Sequence, residues 1–268
     1  MVNPSKPYAR LGVPANISTA LVTSPVLSPL GLGCVRLLLA CYALTTSIVV
    51  LVHDTQGSKD ASGFFSYFTD LSYIGLISYL WASAVQTLVY TFRRNGTFPL
   101  QRWPRFLQFL HILLYSTITT FQTKEADLSP EAWSNISQHA MNSLFALFEI
   151  FLTNVRPSPW IHVVFLEIFL VCYLGVAYIT HATEGFYTYD FLDPSKEHGL
   201  LAAYIVGIAV GGVLVFAIVK GLMTLRLRFF RRGPGDAAWD VDEDKGGVEA
   251  IDAWEEVPRR EGAGDEIA

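Results

Sequence analysis

The chain has 268 residues, of which 51% are apolar and 16% charged, with a formal net charge of -5. Soluble domains carry about 25% charged residues, so this deficit excludes an ordinary water-soluble fold. No basic face or zinc-finger spacing accompanies the acidic balance, which excludes a nucleic-acid partner.

The first 31 residues, rich in Ser and Pro, read as a cytosolic segment. They lack a basic stretch followed by a short apolar core, so no cleaved signal peptide is expected. A membrane helix needs about 20 mostly apolar residues. Six windows come close: Leu32–Val52, Phe64–Phe92, Phe106–Gln122, Ile136–Val155, Trp160–His181 and Leu200–Leu225. The expected fold is therefore all-α, a polytopic membrane bundle of about six helices over residues 32–230. The third window is short and contains Gln108 and His111. Cys34, Cys41 and Cys172 each fall inside a window, where they read as buried small hydrophobes. In the sixth window Gly207, Gly211 and Gly212 read as a close-packing surface. Half of the 24 acidic residues follow Arg232, so residues 231–268 are expected to form a disordered acidic cytosolic tail. The tail's partner is left open.

The connections test the count of spans. Arg93, Arg94, Arg102 and Arg105 lie between the second and third windows, Arg156 follows the fourth, and Arg226, Arg228, Arg231 and Arg232 follow or close the sixth. The other connections are acidic, with Asp54 and Asp60, then Glu125, Asp127 and Glu131, then Glu184, Asp190, Asp193 and Glu197. The alternation follows the positive-inside rule and places both termini in the cytosol. The membrane would be an endomembrane such as the endoplasmic reticulum, or the plasma membrane. Trp103, Trp133 and Trp160 sit at window edges, as interfacial aromatics do.

Ionisable groups inside spans are costly and mark function. Asp70, His111, His139, Glu149, His162, Glu167 and His181 are the candidates, with Thr69 and Asn135 beside them. Thr69 lies about five residues into the second window, roughly 8 Å at helical rise. His139 lies at a similar depth in the fourth, and the fifth finishes near His181, so the three are expected in one outer layer. A Thr hydroxyl becomes a nucleophile when a neighbouring base takes its proton, and His is suited to that role. The bland alternative is a Thr bonded to its own backbone. Glu149 is ten residues beyond His139, about 15 Å, and is expected to pair with His162 or His111 instead.

Three patches resemble the androgen-induced and androgen-dependent six-span membrane proteins, which include intramembrane threonine hydrolases; a fungal-type member is expected. The patches are Tyr67-Phe68-Thr69, then Trp133, Asn135, His139 and Glu149, then His181 through Gly185, Tyr187, Tyr189 and Phe191-Leu192. The chain departs from the pattern at Ile136, where animal members carry a second His, and at Asp70, where they carry an apolar residue. The resemblance implies hydrolysis of esters between fatty acids and hydroxylated fatty acids, the substrate entering from the bilayer. Thr69 would be the nucleophile and His139 the base, with His181, Asp70 and Asn135 supporting them, and no metal or organic cofactor. Two alternatives stand beside it: a non-catalytic pseudo-enzyme, scaffold or transporter of the same fold, and a zinc hydrolase built on His53, His139, His181 and His198 with Asp70 and Glu184.

Overall fold

A computed structural model of the chain describes residues 6–56, 65–93, 95–121 and 141–230. It has six principal helices: α1 (Pro29–Gln56), α2 (Phe68–Phe92), α3 (Arg105–Phe121), α4 (Met141–Leu152), α5 (Ile161–Glu184) and α6 (Leu200–Phe229). All six coincide with the windows expected from the sequence, and no strand occurs among the described residues. Helices α1, α2, α5 and α6 are long and apolar enough to cross a bilayer. The chain is an all-α integral membrane protein. The acidic tail lies outside the described residues.

Local chemistry sets the helix ends. Ser28 caps α1 by accepting the Gly31 amide at 3.1 Å, and Pro29 opens the helix where a missing N–H costs nothing. Helix α2 begins at Phe68, four residues later than the apolar window, because Tyr67 has extended backbone. Thr69 therefore sits in the first turn of the helix rather than five residues inside it. Helix α4 ends at Leu152 and the chain is non-helical through to α5, since Pro157 disfavours helix at Arg156 before it.

Helix α3, short and rich in polar residues, is the interior helix. Its polar residues Gln108, His111, Ser116, Thr119 and Thr120 are all buried. A hydrophobic core built from α1 (Ala40, Ala43), α2 (Tyr73, Leu76, Leu80), α3 (Tyr115, Ile118), α4 (Phe145, Ile150) and α6 (Val219, Met223) packs around it. A second cluster joins Val13, Ile17 and Val22 of the N-terminal segment to Phe98, Leu100, Phe109 and Leu113. The outer faces carry large exposed apolar groups such as Leu38, Ile48, Ile168, Val171, Leu214 and Ile218, the surface that lipid covers.

Three expectations are corrected. The cysteines are exposed on the helix surface rather than buried, because Cys34, Cys41 and Cys172 fall on the outward stripes of α1 and α5. Gly212 packs as expected, with Leu170 and Glu167 close to where its Cβ would be, whereas Gly207 faces open space. Glu149 pairs with neither His162 nor His111. Its carboxylate accepts Nε and Nη2 of Arg36 at 2.8 and 2.7 Å, and Tyr79 donates to it at 3.0 Å. Arg36 also donates to Thr87 Oγ1 at 2.7 Å and to the Leu21 carbonyl at 2.9 Å. Both partners of this ion pair are 0% exposed. It ties α1, α2 and α4 together in a medium where an unpaired charge would be prohibitive.

Candidate functional site

Helix direction alternates along the chain, so α2 starts, and α5 ends, at the same end of the bundle. There the turn carrying Thr69 packs on the segment carrying His181. Ser66 is the joint: its hydroxyl accepts from Thr180 Oγ1 at 3.0 Å, and its carbonyl accepts from Tyr173 OH at 3.0 Å. Tyr173 also donates to Thr188 at 3.4 Å, beyond the end of α5. Phe68 packs edge-on against Tyr173 of α5 and Phe121 of α3, each with ring centroids 5.1 Å apart. Tyr67 meets Tyr189 edge-on at 6.0 Å. Thr69 and Asp70 follow at once, both half-buried, in the first turn of α2 where the helix dipole favours negative charge.

The segment after α5 is folded back by Gly185, which has φ of 79° and donates its N–H to the His181 carbonyl at 3.0 Å. Only a left-handed residue ends a helix this way, and glycine adopts it without strain. The reversal lays Tyr187 flat on His181, with ring centroids 3.8 Å apart and planes 11° from parallel. His181 Nδ1 is buried and has no hydrogen-bond partner among the described residues. Beside this stack opens a cleft of about 640 Å³ lined by His181, Tyr187, Asp190, Asp193 and Lys196 among others. Hydrogen bonds from the Ser195 side chain and amide hold the Asp193 carboxyl below its ordinary range. Asp190 accepts from Lys196 at 2.7 Å and pushes that ammonium pKa up.

Of the residues singled out from the sequence, Thr69, Asp70 and His181 thus share one end of the bundle. His139 and Asn135 lie outside the described residues, as do the side chain of His53 and the whole of Trp133. His198 is exposed and its Nδ1 lies 3.2 Å from the Lys196 carbonyl. Among the described residues no group of three His, Cys, Asp or Glu could hold a metal ion.

Sequence reasoning missed Ser66, Tyr173 and Thr180, which join the two patches, and Arg36, the partner of Glu149. Arg36 gave a readable signal, a lone cation seven residues after Pro29 in an otherwise apolar window. At the opposite end of the bundle the candidate His162 has partners that were missed, Ser116 and Ser158. His162 Nε2 lies 3.0 Å from the Leu11 carbonyl, which can only accept, so Nδ1 is the acceptor for the Ser116 hydroxyl at 2.6 Å. Ser158 is hydrogen-bonded to Ser116 in turn.

The family model described as FAR-17a/AIG1-like protein matches residues 106–223. Over that stretch the chain is similar to the FAR-17a/AIG1-like family. No curated protein and no solved structure matches it. The FAR-17a/AIG1-like match runs from the start of α3 into α6, so it includes His139, Glu149 and His181 and leaves Arg36 and Thr69 outside.

Proposed function

We propose that the protein is an intramembrane lipid ester hydrolase with Thr69 as nucleophile and His139 as general base. The observation that supports this reading is the Ser66 joint, which holds the Thr69 turn against the helix and loop of His181 beside an open cleft. The similarity of residues 106–223 to the FAR-17a/AIG1-like family is consistent with it. Esters of fatty acids with hydroxylated fatty acids are the substrate class that the sequence resemblance favours.

In this mechanism His139 accepts the Thr69 hydroxyl proton as Oγ1 attacks the ester carbonyl. The first turn of α2 lies beside the developing oxyanion, and its dipole stabilises that charge. Collapse expels the alcohol, which takes the proton from the imidazolium and leaves an acyl-threonine ester. Water then enters from the cleft, gives its proton to His139 and attacks the acyl carbon, which releases the fatty acid and restores Thr69. His181, Asp70 and Asn135 would orient the base or the ester.

An active-site-directed serine/threonine hydrolase probe in membranes tests the reading. Wild type is expected to be labelled, and Thr69→Ala and His139→Ala are expected to lose labelling by two or more orders of magnitude at matched expression. A wild type that stays unlabelled would assign the fold to a non-catalytic membrane protein.

A further inference from the structure

The end of the bundle away from Thr69 carries a second open feature, a groove of about 380 Å³ between the start of α5 and the last third of α6. Trp160, 55% exposed, forms the α5 wall. Ala217, Lys220, Gly221, Thr224 and Arg228 form the other side, on adjacent i, i+4 rows of α6. A Cβ built on Gly221 meets nothing within 4 Å, so the groove floor is open. Lys220 is held in place: Nζ donates to the Ser158 carbonyl at 3.0 Å and lies 5.6 Å from the centre of the Trp160 ring. Arg228 is exposed. Among the described residues no carboxylate lines the groove.

These features combine two lipid-recognition chemistries. Tryptophan at a helix end marks the headgroup level, and paired cations between helices at that level complement an anionic headgroup. Further along the same outward face of α6, Ile218 and Leu214 are exposed and give an apolar track for an acyl chain. We propose that this groove binds an anionic phospholipid, with its phosphate held by Lys220 and Arg228 and one acyl chain laid along Ile218 and Leu214. Both cationic stems are long enough to converge on one phosphate while their methylenes cover the helix. The site is independent of the Thr69 end and of any hydrolase activity.

Native mass spectrometry of the detergent-solubilised full chain tests this, with phosphatidylserine and phosphatidylcholine offered at equal concentration. Wild type is expected to retain the anionic lipid about tenfold over the zwitterionic one, and Lys220→Gln/Arg228→Gln to lose that preference. Gly221→Leu keeps both cations, fills the open floor and adds a better helix former, so it tests the groove in a folded protein. It is expected to lower anionic-lipid retention to the same level. Equal retention of the two lipids by wild type, or unchanged preference in both variants, overturns the proposal. Competition by soluble glycerol phosphate at equal concentration would assign the cations to free phosphate and overturn it too. A carbodiimide cross-link between Lys220 and carboxylates of residues 231–268 that persists with excess anionic lipid would make the acidic tail the occupant, and likewise overturn it.

Discussion

At the scale of single residues, the buried Arg36–Glu149 pair carries the largest individual stake. Its two charge-assisted hydrogen bonds, the Tyr79 hydroxyl and the Thr87 hydroxyl leave few unmet valences in the pair. Replacing one member strands the other charge without water, which costs about 3–5 kcal/mol in buried pairs. Glu149→Leu is therefore expected to lower the unfolding midpoint in detergent sharply. Arg36→Met combined with Glu149→Leu should recover much of that loss, because an apolar pair needs no partner. Thermal unfolding of the three variants against wild type checks both statements, and a double variant no more stable than the single one would contradict the second. Why this pair escaped the sequence is plain from its surroundings. Arg36 stands beside Leu37, Leu38 and Leu39, so averaging over a window dilutes its charge, and nothing in a single sequence tells which face of α4 Glu149 occupies.

At the scale of elements, the N-terminal segment is a packed part of the bundle. The carbonyl of Leu11 accepts a hydrogen bond from His162 Nε2, Arg105 donates to the Pro14 carbonyl at 2.6 Å, and Val13, Ile17 and Val22 enter the second apolar cluster. Gly12 makes this docking possible. Its φ is 79°, and a Cβ there would sit 3.0 Å from Pro159 Cγ at the approach to α5. Gly12→Ala is expected to cost about 1–2 kcal/mol from the left-handed backbone alone, with the Pro159 contact adding to it. Faster proteolysis around residues 6–22, with the remaining helices still protected, is the readout. Gly175→Ala, inside α5 with open space around its Cβ, is the control and should be neutral or slightly stabilising. The helices themselves were legible because lipid demands long apolar runs. The onset of α2 was not, because apolar character continues through Phe65 and Tyr67 while the backbone there is not yet α-helical.

At the scale of the whole molecule, six alternating helices bring the starts of α2, α4 and α6 and the ends of α1, α3 and α5 to one side. That is what allowed Thr69 and His181 to be placed at a common end from sequence. The contacts that join them depend on hydroxyls of Ser66, Tyr173 and Thr180, residue types too common in membrane helices to be singled out beforehand. If all six helices cross the bilayer, the segments before α1 and after α6 are expected on the same side. Epitope tags at the two termini should therefore become accessible together, on selective permeabilisation of the cytosolic face, given the Arg-rich ends of α2, α3 and α6. Tags in opposite compartments would remove one crossing.

The long loop closed by Arg36 and Glu149 also sets a timetable for synthesis. The two residues are 113 positions apart, so the first span enters the membrane with a guanidinium whose counter-charge has not yet been made. At about 5–20 residues per second, the wait lasts roughly 6–23 s. Arg226 prolongs the unfinished state, because it donates to the carbonyls of Ile150 and Val155 around the end of α4 and belongs to the last helix to emerge. Until then the fourth helix ends in carbonyls without these donors, in or near lipid. The guanidinium thus waits for the fourth helix and the carbonyls of Ile150 and Val155 for the sixth, and a nascent chain stopped before Arg226 is the form that membrane quality control would meet.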